Sequence, residues 1–243
     1  PSGMLNAMTR AHGFQARRFQ GPFTALVLGA LMPDGAPAAG GAAQSAPAAW
    51  TVIVYISGDN VLEPFVVQDL EQELAAVGSG PDVQVVALAD RGPGYDRRRG
   101  DWETTKLFHV TRGMLATAQA AVADWGERNM GDPRTLSEFV RWTKANYPAE
   151  RYALYFWGHG WNWHPGWVMQ DDTDGDTLDM HEMEAALPAL GFLDFVGYDG
   201  CNMASAEVLE MWHGHASAVA ASQEFVGWEG VEYDRVLAAL TEN

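Results

Sequence analysis

From Trp50 onward, short apolar runs alternate with segments whose apolar residues recur at helical spacing. The runs are WTVIVYIS (50–57), VQVVALAD (83–90), TKLFHV (105–110), YALYFW (152–157), LDFVGYD (193–199) and SAVAAS (217–222). Their length and their β-branched or aromatic content predict strands. Between them, Leu62, Val66, Leu70, Leu74 and Val77 predict one helix, Leu136, Phe139, Val140 and Thr143 a second, and Met180, Met183 and Leu187 a third. Thr135 with Glu138, and Asp179 with Glu182, read as capping pairs that start the second and third, and MASAEVLEM (203–211) reads as a further helix. This alternation predicts an α/β fold, a mostly parallel sheet with helices on both faces.

In an open parallel sheet the ligand site lies beyond the carboxyl ends of the strands. The residues leaving those ends are Asp59, Asp90 with Arg91, His159, Asp199 with Cys201, and Gln223 with Glu224. An imidazole, the one thiol and several carboxylates are thus expected along one edge.

Residues 1–49 follow a different pattern. Arg17-Arg18 precede the apolar run FTALVLGALM, and an Ala/Gly/Pro-rich stretch follows. That order matches an export signal and linker, with a disordered tail as the alternative reading. The run is too short to span a bilayer. The expected organisation is therefore an exported chain with a domain from residue 50 to residue 243.

Charge narrows the partners. With 15 Lys+Arg against 32 Asp+Glu the net charge is -17, which argues against nucleic acid and favours neutral or cationic ligands. Cys201 is the only cysteine, either a buried small hydrophobe or a reactive group. It follows a strand and precedes a predicted helix, a setting that can stabilise a thiolate. Gly158 and Gly160 bracket His159, the first allowing a sharp turn and the second a bare backbone N–H. Asp172, Asp174 and Asp176 lie in the acidic run DDTDGD (171–176), which reads either as a solvated turn or as a site for a hard cation such as calcium.

Four segments resemble the clostripain-like cysteine peptidases, relatives of the gingipains, legumains and caspases. They are WTVIVYISGDNVLE (50–63), NMGDPRTLSEFVRWTKANYPAERYALYFWGHG (129–160), DDTDGDTLDMHEMEAAL (171–187), and DFVGYDGCNMASAEVLE with AASQE (194–210, 220–224). The resemblance implies a caspase-like three-layer α/β fold and a His-Cys dyad at His159 and Cys201. It further implies cleavage after Arg or Lys through a thioester acyl-enzyme, with the N–H groups of Gly160 and Cys201 stabilising the oxyanion. Asp199 matches one acidic pocket position, Glu229 falls near a second, and Glu224 is a third candidate. No cofactor is required for such chemistry; the expected partners are proteins or peptides with basic residues.

Two features depart from the family pattern. No Lys or Arg occurs from Tyr152 to Asp234, so a basic-specific enzyme has nothing to cut between its dyad residues, and Arg97-Arg98-Arg99 becomes the obvious self-cleavage target. Family members also usually continue beyond the position of Asn243, so the domain is read as truncated there. The alternatives are the same dyad with another specificity, such as Asn, and a non-catalytic caspase-like module binding calcium or protein. Nothing in the sequence sets the oligomeric state.

Overall fold

The computed structural model describes residues 47–162 and 166–242. The export signal read over the first part of the chain lies outside them.

The longest apolar run becomes the central strand, β1 (Ala48–Gly58). It pairs in parallel with β2 (Val83–Arg91) on one side and β5 (Ala149–Trp157) on the other. Beyond β5 lie β8 (Phe195–Asp199) and β9 (Val219–Ala220), both parallel. Beyond β2 lie β3 (Lys106–His109) and β4 (Ala123–Asp124), both antiparallel. The sheet order is β4-β3-β2-β1-β5-β8-β9. A separate hairpin joins β6 (Trp167–Asp171) to β7 (Asp176–Asp179).

Helices cover both faces, which is why the strands read as continuous apolar runs. One layer holds α1 (Glu63–Gln68), the π-helical turn Asp69–Leu74, α2 (Ala75–Val77) and α6 (Tyr233–Thr241). The other holds α3 (Pro133–Asn146), α4 (Met180–Leu190) and α5 (Ala206–Met211). Alternation along β1 divides the core. Ile53 and Tyr55 pack with Leu136, Phe139, Met183 and Trp212, whereas Val52, Val54 and Ile56 pack with Val66, Leu70, Leu74 and Leu237. The result is the three-layer α/β fold expected. Among the described residues no helix is long and apolar enough to cross a membrane.

Local signals held unevenly. The Asp179–Glu182 capping box is formed at α4. At α3 the cap is Asp132, not Thr135: its carboxylate accepts from Arg134 N, and Pro133 occupies the first turn, where its fixed φ suits a helix start. Thr135 is buried inside the helix. β4 and the β6–β7 hairpin were not anticipated, because both strands of the first antiparallel extension are short and the hairpin is largely polar.

Topology places the site. The chain leaves β1 toward β2, β3 and β4, then crosses back to β5 on the opposite side of β1. Strand order therefore reverses between β1 and β5, and a crevice opens at their carboxyl ends.

Candidate active site

The β5–β8 register pairs Trp157 with Asp199, so the two chains leave the sheet side by side, and His159 and Cys201 each stand two residues past that pair. Gly158 N–H donates to Asp199 O at 3.1 Å, tying the exits together. Gly158 has φ +149°, a conformation that side chains rarely adopt. At Gly160 the constraint is space: a Cβ there would stand 2.7 Å from Cys201 O and 2.9 Å from Met203 Cγ.

The hairpin backs the imidazole. Gly160 pairs with Val168, with Met169 N donating to His159 O at 3.1 Å and Trp161 N to Trp167 O at 2.9 Å. In this antiparallel pairing the two flanking bonds make Gly160–Val168 the non-hydrogen-bonded pair, which turns Gly160 N–H away from β6. A Cβ built on Gly200 lies 3.6 Å from that nitrogen, so it faces the β8 exit. The His159 ring meets Trp167 edge-on, with centroids 6.4 Å apart, and burial lowers its pKa, partly offset by the charge of Asp172.

Cys201 is half-buried, and its Sγ accepts from Val226 N at 3.4 Å. The helix expected immediately after it starts later, at Ala206, with Ser205 as its cap. The thiol is therefore not at a helix N-terminus; the N–H that reaches its sulfur is that of Val226, in a loop.

Both groups line a cavity of about 450 Å3 with Leu62, Phe65, Trp157 and Trp228 among its walls. Two buried carboxylates, Asp69 and Asp199, also line it. Asp199 Oδ2 accepts from Val231 N at 3.2 Å, and burial raises its pKa against the pull of that N–H and of Tyr233. Asp69 Oδ2 accepts from Trp157 Nε1 at 2.6 Å. Burial pushes its pKa up to about 7; the Trp157 bond opposes this, and the charges of Asp199 and Glu73 add to it.

Asp69 escaped the sequence reading, although a signal exists: it falls on the apolar stripe of its helix, between Val66 and Leu70. The π-helical turn that begins at Asp69 is a feature frequently found at functional sites. Glu224 and Glu229 are exposed and their side chains do not line the cavity; Glu229 sits on the rim between the lining residues Trp228 and Gly230. Arg91, at the end of β2, does not reach the cavity. It is fully buried, bonded to Glu63 Oε1 at 2.7 Å and stacked on Trp102 at 4.6 Å.

The acidic turn is not drawn around one point. Asp172 accepts from Gln170 and Tyr95, Asp176 from Asn129 and Thr177 N, and Asp174 is exposed. Among the described residues, the donors close enough to share one ion are instead Asp59, Asp90, Glu127 and Asp171. Burial, reinforced by the neighbouring carboxylates, raises the pKa of Asp90 and Asp171; Glu127 is exposed on one side, but partial desolvation and the charges of Asp171, Asp59 and Asp174 take its pKa to about 7.

A thiol and an imidazole on adjacent parallel strand ends, over a cavity containing buried acids, define a caspase-like α/β protein with a site built around a cysteine. Residues 54–243 match the model of the clostripain family, and the chain belongs to that family. It is 26% identical over 216 residues to clostripain from Hathewaya histolytica, covering 76% of this chain and 41% of that protein. Its fold is similar to that of a secreted C11 cysteine protease from Bacteroides thetaiotaomicron, determined with an irreversible peptide inhibitor. The TM-score is 0.66 at 25% identity, over 79% of this chain and 54% of that one. An inactive zymogen C11 protease from Parabacteroides distasonis shares the fold, with a TM-score of 0.60 at 22% identity over 77% of this chain and 52% of that one. The chain thus spans about half the length, or less, of these relatives.

Proposed function

We propose that this chain carries a cysteine endopeptidase site that cuts after Arg or Lys, with Cys201 as nucleophile and His159 as its acid–base partner. The observation that carries the reading is the shared cavity: the thiol and imidazole line the same space as two buried carboxylates set among aromatic walls. An apolar wall suits the methylene stem of a basic side chain, and a buried acid suits its cationic head.

In this reading His159 takes the proton of the Cys201 thiol, and the thiolate attacks the scissile carbonyl to give a tetrahedral oxyanion, which Gly160 N–H and Cys201 N–H stabilise. Collapse breaks the C–N bond, His159 supplies the proton to the departing amine, and a thioester remains. Water, deprotonated by His159, then releases the acid and restores the thiol. Burial keeps His159 neutral near pH 7 until it takes up a proton, which suits a group that both accepts and returns one. No step calls on a cofactor. Asp199 and Asp69 form the acidic end of the pocket. The net charge of -17 adds a field that attracts basic substrates. Export, read from residues 1–49, agrees with the secreted relative.

The test is cleavage of fluorogenic peptides ending in Arg, Lys, Asn or Asp by the full-length protein, beside a Cys201→Ala control. Cleavage after Arg and Lys, lost in the control, is expected. No cleavage of any peptide overturns the peptidase reading, and cleavage after Asn alone overturns the pocket assignment.

A further inference from the structure

We propose that Trp161 and Phe225 form a subsite for a large apolar side chain on the substrate residue just before the basic one, so that the preferred target is an apolar–basic pair. The proposal rests on the peptidase reading above and adds a second specificity determinant to it.

Two aromatic pairs line the cavity. Phe65 and Trp228 stack with ring centroids 5.4 Å apart, and Trp161 and Phe225 face each other, tilted, at 6.5 Å. Three of the four rings are open to solvent: Phe225 is 70% exposed, Trp228 67% and Trp161 44%. Large apolar groups gathered at the mouth of a cavity mark a surface that a ligand covers.

The two pairs have different surroundings. Phe65 stands one helical turn before Asp69, and Trp228 lies in the loop that closes on Asp199, where a Cβ at Gly230 would stand 2.8 Å from Asp199 Oδ2. That pair therefore belongs to the basic pocket. Trp161 and Phe225 sit on the chains that follow β5 and β9. Among the described residues, no carboxylate other than Asp69 and Asp199 lines the cavity, so this second pair presents an uncharged surface.

Both rings stand on tethered backbone. Trp161 N donates to Trp167 O at 2.9 Å. Phe225 is held from both sides: Glu224 O accepts from Asn202 N at 3.1 Å, and Val226 N donates to Cys201 Sγ at 3.4 Å. Covering such rings costs little ordering, so most of the apolar contact is available for recognition.

Sheet order decides which substrate residue they meet. The neighbours β5, β8 and β9 set His159, Cys201 and the segment after β9 side by side, in that order. Ala204 N donates to Ser222 O at 2.9 Å, which keeps that segment along the chain leaving β8. In the proposed reaction the departing amine faces His159. The acyl half of the substrate therefore runs the opposite way, toward residues 222–226, and the residue before the basic one reaches Phe225. Trp161, just past Gly160, closes the other side of the slot. A cut after Arg97 would place Asp96 in this slot, so self-cleavage there is slower than cleavage of an apolar–basic peptide.

The test has two arms. In the first, full-length protein cleaves acetyl dipeptides ending in Arg-aminomethylcoumarin, with Leu, Phe, Asn or Gly before the Arg. Leu and Asn are close in size, so their comparison isolates polarity. Leu is expected to exceed Asn in kcat/KM by about tenfold or more. Trp161→Ala and Phe225→Ala each bring that ratio toward one, whatever they do to the overall rate. In the second arm, calorimetry compares binding of acetyl-Leu-Arg-amide and acetyl-Asn-Arg-amide to the Cys201→Ala protein, where the Leu peptide is expected to bind tighter by a similar factor. A wild-type ratio near one, or a ratio that either alanine variant leaves unchanged, overturns the proposal. So does a preference for Leu after the Arg rather than before it in internally quenched peptides. If no peptide is cleaved, the peptidase reading falls and the binding arm decides the subsite alone: equal binding of the two amides, or none, overturns it.

Discussion

Trp157 Nε1 donates to Asp69 Oδ2 at 2.6 Å, so the strand that delivers His159 also fixes a carboxylate in the wall of the same cavity. A charge-assisted hydrogen bond to a bound cation is worth about 1.5–3 kcal/mol. Asp69→Asn is therefore expected to lower kcat/KM for Arg and Lys peptides by about 10- to 100-fold, with Asp199→Asn doing the same. Steady-state kinetics on the two variants check this; unchanged kcat/KM in both would remove the acids from recognition.

The same carboxylate gives a pH dependence with a definite sign. Its folded pKa, about 7, lies above the ordinary 3.8, so the fold favours the protonated form and loses stability as pH rises from about 4 to about 8. The neighbouring acids Asp199 and Glu73 act in the same direction, and the Trp157 indole opposes them. Melts across that range should show the wild type losing Tm relative to Asp69→Asn as pH climbs. A parallel pair of curves would contradict the assignment.

Gly160 leaves no room for a side chain. A Cβ would press on Cys201 O and the Met203 side chain, and the methionine can move where the backbone carbonyl cannot. Because that carbonyl is backbone, Gly160→Ala should lower Tm measurably, and on the proposed mechanism its folded fraction should lose about 100-fold or more in kcat, as the proposed oxyanion donor is displaced. Kinetics together with melting separate this effect from general damage.

Arg91 and Glu63 form a pair with side chains 0% and 1% exposed, and Glu63 Oε2 also accepts from Asp96 N at 2.7 Å. Removing one partner strands a buried charge, so Glu63→Gln or Arg91→Met should cost about 3–5 kcal/mol. Urea unfolding should show that loss, with the double variant recovering part of it.

That anchored loop carries Arg97, whose side chain is 86% exposed and only loosely paired with Asp101 at 3.9 Å, whereas Arg98 pairs with Asp96 at 2.9 Å and Arg99 with Glu71 at 2.5 Å. Self-cleavage by a basic-specific enzyme should therefore fall after Arg97. N-terminal sequencing of incubated protein should find a new end at Arg98; an end between His159 and Cys201 would contradict basic specificity.

Much of this was legible in the sequence, for identifiable reasons. Strands buried on both faces leave unbroken apolar runs, so β1, β2, β5 and β8 stood out, and the residues at their exits followed from parallel topology. His159 and Cys201 were visible as neighbours on one edge because each immediately follows such a run. Asp69 was not, since its meaning depends on Trp157, far away in the chain, and on a π-helical turn that periodicity does not reveal. The acidic quartet was half visible: Asp59 and Asp90 were strand-end residues, but Glu127 and Asp171 reach them only through a loop and a hairpin with little apolar patterning. The capping signal at α3 was misplaced because the stronger Asp132-Pro133 pair precedes Thr135.

The central claim, that Cys201 is the nucleophile of a pocket reading basic side chains, is tested most directly by covalent trapping. Full-length protein is treated with acyloxymethyl ketones bearing Arg or Asp next to the warhead and mapped by peptide mass spectrometry. One equivalent of the Arg reagent should attach to Cys201, the Asp reagent should not attach, and Asp69→Asn should slow labelling. Labelling at another residue, or equal labelling by both reagents, would contradict the account.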